Sequence, residues 1–201
     1  MMGLRRGEVI EMSWDELRRD IKDCNGCMLF HTRMHAVIGR GSSQPVVVFV
    51  AEGPGESEDK KGIPFCGKSG IVLDSEIMRI GLSYNSYYIA NVVKCRPMTV
   101  DFKNRKPTIS EIDACYPFLA RQLSLLKPKL IVLMGETAKT VESRLKVDLK
   151  DINVDFYSMI HPAATLYRRK LYLLFRVCFD NIKEKLSDKY SDNSLDGYGN
   201  I

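Results

Sequence analysis

The chain has 201 residues, 45% of them hydrophobic and 27% charged, the make-up of an ordinary folded globular protein, which excludes disordered, collagen-like and coiled-coil readings. That length buries a core without disulfide staples, and the longest apolar runs, Pro45 to Ala51 and Leu130 to Met134, are far short of the roughly twenty residues of a membrane span. Thirty basic against twenty-five acidic side chains leave a formal charge of +5, which permits nucleic-acid binding without demanding it.

The N-terminal stretch has no apolar core or cleavage site of a secretory signal, so a cytoplasmic address without membrane association is expected. Ser13-Trp-Asp-Glu16 has the spacing of a capping box and predicts a helix over about 14–23, delivering the chain to Cys24-Asn-Gly-Cys27. Val46 to Val50 is a β-branched run expected to be a strand buried on both faces. Glu52-Gly-Pro-Gly-Glu56 follows it and, with Lys61 to Phe65, is read as one long structured loop before helical spacing resumes over 69–80. Tyr87 to Val93 is a second strand, and Thr108-Ile-Ser-Glu111 opens a long helix to about Leu126, stopped by Lys127-Pro128. Leu130 to Met134 is a third strand, 135–145 a helix, Asn153 to Ile160 a weaker fourth strand, and a last helix runs from Arg168 to about Leu186.

Strands alternating with long helices predict an α/β fold, a three-layer α/β/α sandwich around a mostly parallel four-stranded sheet. One domain over 1–186 and a polar tail over 187–201 are expected. In such sheets ligands bind beyond the carboxyl ends of the strands, and the peculiar loops after Val50, Val93 and Ile160 all lie there.

Six cysteines are unusual for a chain read as cytoplasmic, where thiols stay reduced and clusters serve metals or catalysis. Cys24 and Cys27 form a CxxC pair that Cys95 and Cys115 can join, and four sulfurs suit either zinc or an iron-sulfur cluster; spacing does not separate the two. The plainer alternative makes Cys95 and Cys115 core thiols; Cys66 and Cys178 are read as packing or pocket-lining residues. Five basic residues against Asp101 alone lie between Asn91 and Pro107, and seven against three between His161 and Lys189.

The glycine-rich loop lacks the Lys-Ser/Thr of a P-loop. The series Glu52-Gly-Pro-Gly-Glu56 with Glu58-Asp59, Gly62-Ile-Pro-Phe65-Cys-Gly67, Asn91-Val-Val-Lys-Cys-Arg-Pro97 and His161-Pro-Ala-Ala164 resembles the family-4 uracil-DNA glycosylases, the iron-sulfur branch of that superfamily, over roughly residues 20–186. The resemblance implies a DNA repair enzyme that hydrolyses the N-glycosidic bond of deoxyuridine, leaves an abasic site, and acts on uracil-containing DNA. It implies a 4Fe-4S cluster on Cys24, Cys27, Cys95 and Cys115, redox-inert, with zinc as the lesser alternative. Phe65 would stack on the extruded uracil and Asn91 would read its Watson-Crick edge. His161 would hydrogen-bond O2 and stabilise the departing anion. Glu52 opens the loop for water and base and would help keep out a 5-methyl group, and Gly55 lets the backbone approach the base. Gly53 occupies the spot where the best-known branch of the superfamily has a catalytic aspartate, so Glu58 and Asp59 are the nearest acids for holding water.

Lys94, Arg96, Arg105 and Arg168 are expected to meet phosphates, and Leu166, with Tyr167 second, to fill the vacated stack. The chain departs from the family in its His161 loop and in the stretch from Met98 to Phe102, which lengthens the usual Arg-Pro-Pro-x-Asn-Arg segment. A monomer is expected, with room for a sliding-clamp contact. Two other readings stay open: a non-catalytic nucleic-acid-binding α/β domain stabilised by a four-cysteine metal centre, and a glycosylase of shifted base specificity.

Overall fold

A computed structural model describes residues 13–190. The reading of the first twelve residues, and of the tail from 191 onward, lies outside the described residues.

In chain order the elements are α1 (Trp14–Asp23), β1 (Arg40–Gly41), β2 (Val47–Ala51), α2 (Glu56–Lys61), α3 (Lys68–Arg79), β3 (Tyr87–Asn91), α4 (Ile109–Leu126), β4 (Leu130–Met134), α5 (Glu136–Thr140), α6 (Glu142–Asp148), β5 (Asp155–Met159) and α7 (Arg169–Tyr190). The sheet runs β1-β3-β2-β4-β5, and every pairing except β1 with β3 is parallel. Both predicted capping boxes are present: Ser13 and Thr108 each accept from the backbone N–H three residues on, and Glu16 and Glu111 reach back.

Strand alternation sorts the core into two layers. Val48 and Val50 of β2, with Ile131 and Leu133 of β4, face α4, α5 and α6 through Leu119, Leu123, Ala138 and Leu145. Val47, Phe49 and Ala51, with Val132 and Met134, face α3 and α7 through Leu73, Ile77, Phe175, Phe179 and Ile182. Phe49 stacks on Phe179 with ring centroids 5.7 Å apart. Each such large side chain contributes about 1.5–3 kcal/mol on full burial, so the central strands are fixed in register and their carboxyl ends form a rigid rim.

The sheet has five strands rather than four. The addition, β1, is two residues long and includes Gly41, at φ +127 and packed so closely on β3 that a Cβ would lie 2.3 Å from Tyr87 O; so short a strand leaves no alternation to read. The expected single loop after β2 contains α2, whose sequence ESEDKK has no apolar stripe. The helix expected over 135–145 is two helices meeting at Val141. There the Thr140 hydroxyl donates to Thr137 O at 2.7 Å, and Val141 N–H turns to Ala138 O and Lys139 O, a local competition that ends the ladder. The last helix runs on to Tyr190, so the first four residues assigned to a polar tail are helical. Among the described residues no helix is long and apolar enough to cross a membrane.

Candidate active site and cysteine pocket

The loops leaving β2, β3, β4 and β5 meet in one open cleft lined by Glu52, Gly53, Gly55, Glu58, Phe65, Asn91, Gly135 and His161, among others. The pairing of β2 and β3 continues into the cleft, with Val92 N–H on Ala51 O at 2.8 Å and Val93 N–H on Glu52 O at 3.1 Å. All six residues expected to bind or act on a base therefore lie together.

Asn91, the last residue of β3, is only 2% exposed. Its Oδ1 has no hydrogen-bond partner and is, among the described residues, the one buried side-chain polar atom in that condition. A buried acceptor left unpaired costs roughly 1–3 kcal/mol, so its place in the cleft marks it for a donor on a ligand.

His161 follows β5 and caps the 3₁₀ turn Pro162–Tyr167. Its Nδ1 accepts from Ala163 N–H at 3.2 Å, which leaves the proton of the neutral ring on Nε2. Burial pushes its pKa down to about 4, against a smaller upward pull from the Glu58 charge. At neutral pH it is an uncharged N–H donor. The Phe65 ring lies beside it, centroids 5.8 Å apart and tilted by 33°. Phe65 itself is left-handed at φ 52, and α3 packs so closely beneath it that a Cβ on Gly70 would lie 1.8 Å from Phe65 O.

The acidic residues divide. The Glu52 carboxylate is held by the Thr137 hydroxyl. Glu58 lines the cleft and accepts from Gly67 N–H at 2.9 Å. Asp59, expected as a water holder, is not in the cleft: it is 2% exposed and accepts from Met34 and His35 N–H at 2.9 and 3.3 Å. Gly53 has no room for a side chain, because a Cβ there would stand 2.6 Å from Val93 Cγ2.

Of the residues expected at phosphates, two are corrected. Lys94 is 1% exposed. Its Nζ donates to Asn91 O at 2.6 Å and to Gln122 Oε1 at 2.5 Å, inside the core. Arg96 is buried too, donating to Asn104 Oδ1 at 2.7 Å and Phe102 O at 2.9 Å. These cations brace loops because the chain turns back over them. Arg105 lines the cleft while clamped on Glu111 at 2.7 and 2.8 Å. Arg168 is exposed and follows Leu166 and Tyr167, which line the cleft, in sequence. Thr137, Asn104, Lys68 and Ser69 also line the cleft and escaped the sequence reading; the run Gly67-Lys-Ser-Gly70 was the available signal for two of them, Lys68 and Ser69.

Cys24, Cys27, Cys95 and Cys115 line a second, smaller pocket with Ile21, Leu29, Phe30 and Phe118. Three N–H groups point at sulfur: Gly26 at Cys24 (3.4 Å), Arg33 at Cys95 (3.3 Å) and Lys94 at Cys115 (3.2 Å). Burial pushes the Cys115 thiol up to about 11 and raises Cys95 as well, and it brings Lys94 down to about 8. Four soft donors, apolar walls and N–H groups aimed at sulfur fit a thiolate-bound metal centre. Among the described residues no three such donors close on one point as a ready single-ion site. Cys178 packs in the core layer shared with α3, and Cys66 is half-buried outside both pockets, as expected for packing thiols.

A family model described as the uracil DNA glycosylase superfamily matches residues 38–187. The type-4 uracil-DNA glycosylase of Archaeoglobus fulgidus is 36% identical over 193 residues, covering 88% of this chain and 95% of that protein. Those of Sulfurisphaera tokodaii and Saccharolobus solfataricus are each 34% identical, covering 86% and 92% of this chain and 84% and 93% of theirs. The crystal structure of wild-type Pedobacter heparinus SMUG2 superposes with a TM-score of 0.55 at 16% identity, covering 75% of this chain and 77% of that one, a likeness of fold.

Proposed function

The chain belongs to the type-4 uracil-DNA glycosylases of the uracil DNA glycosylase superfamily, and from that premise we propose that it removes uracil from DNA by hydrolysing the N-glycosidic bond, leaving an abasic site. The unpaired Asn91 Oδ1 carries this reading. Uracil presents a donor at N3 and an acceptor at O4, which one carboxamide can match, whereas cytosine presents an acceptor at N3 and would leave Oδ1 facing a lone pair. Phe65 offers a face for the extruded ring, and both side chains are buried.

The chemistry follows from His161. As the C1′–N1 bond breaks, its electron pair passes to uracil and negative charge builds on N1 and O2. A neutral Nε2–H in a desolvated site stabilises that charge as it develops. Water then adds to C1′, and the proton it gives up neutralises the uracil anion. With Gly53 unable to hold a carboxylate and Asp59 turned away, the water is positioned by backbone and by Glu58 rather than strongly activated. Glu52, held by Thr137, walls the cleft against a 5-methyl substituent.

Cys24, Cys27, Cys95 and Cys115 would hold the 4Fe-4S cluster that the donor set suits. When bound, the cluster supplies a redox-inert anchor for the loop from β3 to α4. The test is incubation of purified protein with uracil-containing DNA followed by alkaline cleavage of abasic sites. Strand breaks at uracil, reduced about 100-fold or more by Asn91→Ala, are expected; intact strands from folded wild-type protein refute the proposal.

A further inference from the structure

Residues 98–104 form a small hairpin that the base-binding chemistry does not use. Met98 and Asn104 bridge in antiparallel sense, Thr99 N–H donates to Lys103 O at 2.8 Å, and Phe102 N–H donates to Thr99 O at 3.0 Å. The tip exposes two large apolar side chains, Val100 at 93% and Phe102 at 74%. Phe102 is left-handed at φ 58, where a bulky side chain is rare.

The tip is held rigidly. Buried Arg96 donates to Phe102 O and Asn104 Oδ1, and Arg105, clamped on Glu111, donates to Met98 O at 3.1 Å. The feet of the hairpin, Pro97, Asn104, Arg105 and Lys106, line the same cleft as Asn91 and His161. Exposed Lys103 and Lys106 flank it against Asp101 alone. An exposed aromatic on a braced backbone at a cationic rim has the features of a stacking platform for nucleic acid.

We propose that Phe102, with Val100 beside it, stacks on a nucleobase flanking the extruded nucleotide, a second grip on DNA in addition to Leu166 and Tyr167. The inference rests on the reading of the cleft as a uracil site. Binding of DNA carrying an abasic-site analogue is measured for wild type, Phe102→Ala and Phe102→Trp, with 2-aminopurine beside the analogue and uracil excision by the wild type followed in parallel. Phe102→Ala is expected to bind about 10-fold more weakly and to lose the 2-aminopurine quenching, with thermal unfolding unchanged; Phe102→Trp restores both. If the wild type excises uracil while Phe102→Ala binds within two-fold of it, the hairpin inference is overturned and the cleft reading stands. If the folded wild type excises none, the cleft reading falls and takes this inference with it.

Discussion

Protonating His161 must cost the native state stability, and the cost can be worked from its surroundings. The folded protein holds this imidazole neutral, with burial bringing its pKa from 6.5 to about 4, while the unfolded chain protonates near 6.5. Between those values the unfolded state binds more protons, so stability present above pH 6.5 is lost as pH falls toward 4. At 1.36 kcal/mol per pH unit the full loss is roughly 3 kcal/mol, of which about 2 kcal/mol is gone by pH 5. The assay is urea unfolding of wild type and His161→Asn at pH 7.5 and pH 5. Every other titrating group is shared, so the difference between the two proteins should change by about 2 kcal/mol over this interval, the variant losing less. The excision rate, for its part, should show no downward limb near pH 6.5 from this residue. Equal losses in both proteins, or a rate that halves near 6.5 in wild type alone, would refute a neutral, desolvated His161.

Lys94→Met should cost about 3 kcal/mol or more in unfolding, because it strands two buried acceptors, yet leave the salt dependence of DNA binding unchanged. Arg168→Ala should do the reverse, lowering the slope of log affinity against log salt by about 1 at constant stability; a slope change in the Lys94 variant would return that residue to the DNA surface. Cys24→Ala and Cys115→Ala should abolish visible absorption of the purified protein, whereas Cys66→Ala and Cys178→Ala keep it, and bleaching by either of the latter would redraw the ligand set. Gly53→Ala should destabilise by roughly 1–3 kcal/mol through overpacking on Val93, and with Val93→Ala in the same chain the total loss should fall short of the sum of the two single losses; additive losses would show that the contact is not the cause.

The sandwich, its parallel order and both capped helices were legible because periodicity and capping act within a few residues of sequence. The cleft was legible for the same reason: Glu52, Asn91 and His161 each lie at the carboxyl end of a strand read from periodicity, so the sheet delivers them to one edge. What could not be read was the fate of long cations. Lys94 and Arg96 sit in a stretch of sequence that reads as a basic patch, yet both turn inward, Lys94 to the carbonyl of Asn91 three positions before it and Arg96 to that of Phe102 six positions after it. Asp59 misled in the same way, its carboxylate consumed by N–H groups from a segment 24 and 25 positions earlier in the chain. Charge along a sequence shows which side chains are ionic, and only tertiary contacts decide which of them face solvent.

Lys94 ties the two pockets together: its N–H points at the Cys115 sulfur and its ammonium holds the carbonyl of Asn91. The strand that ends in Asn91 therefore cannot be transplanted as a module. Grafted onto a scaffold without the cysteine loop, β3 would present the same amide on a backbone whose carbonyl had lost its donor, with nothing to fix its aim. A protein engineer wishing to borrow the buried Asn91 amide has to carry the stretch from Asn91 to Cys115 as one piece, together with Gln122 on the next turns of α4.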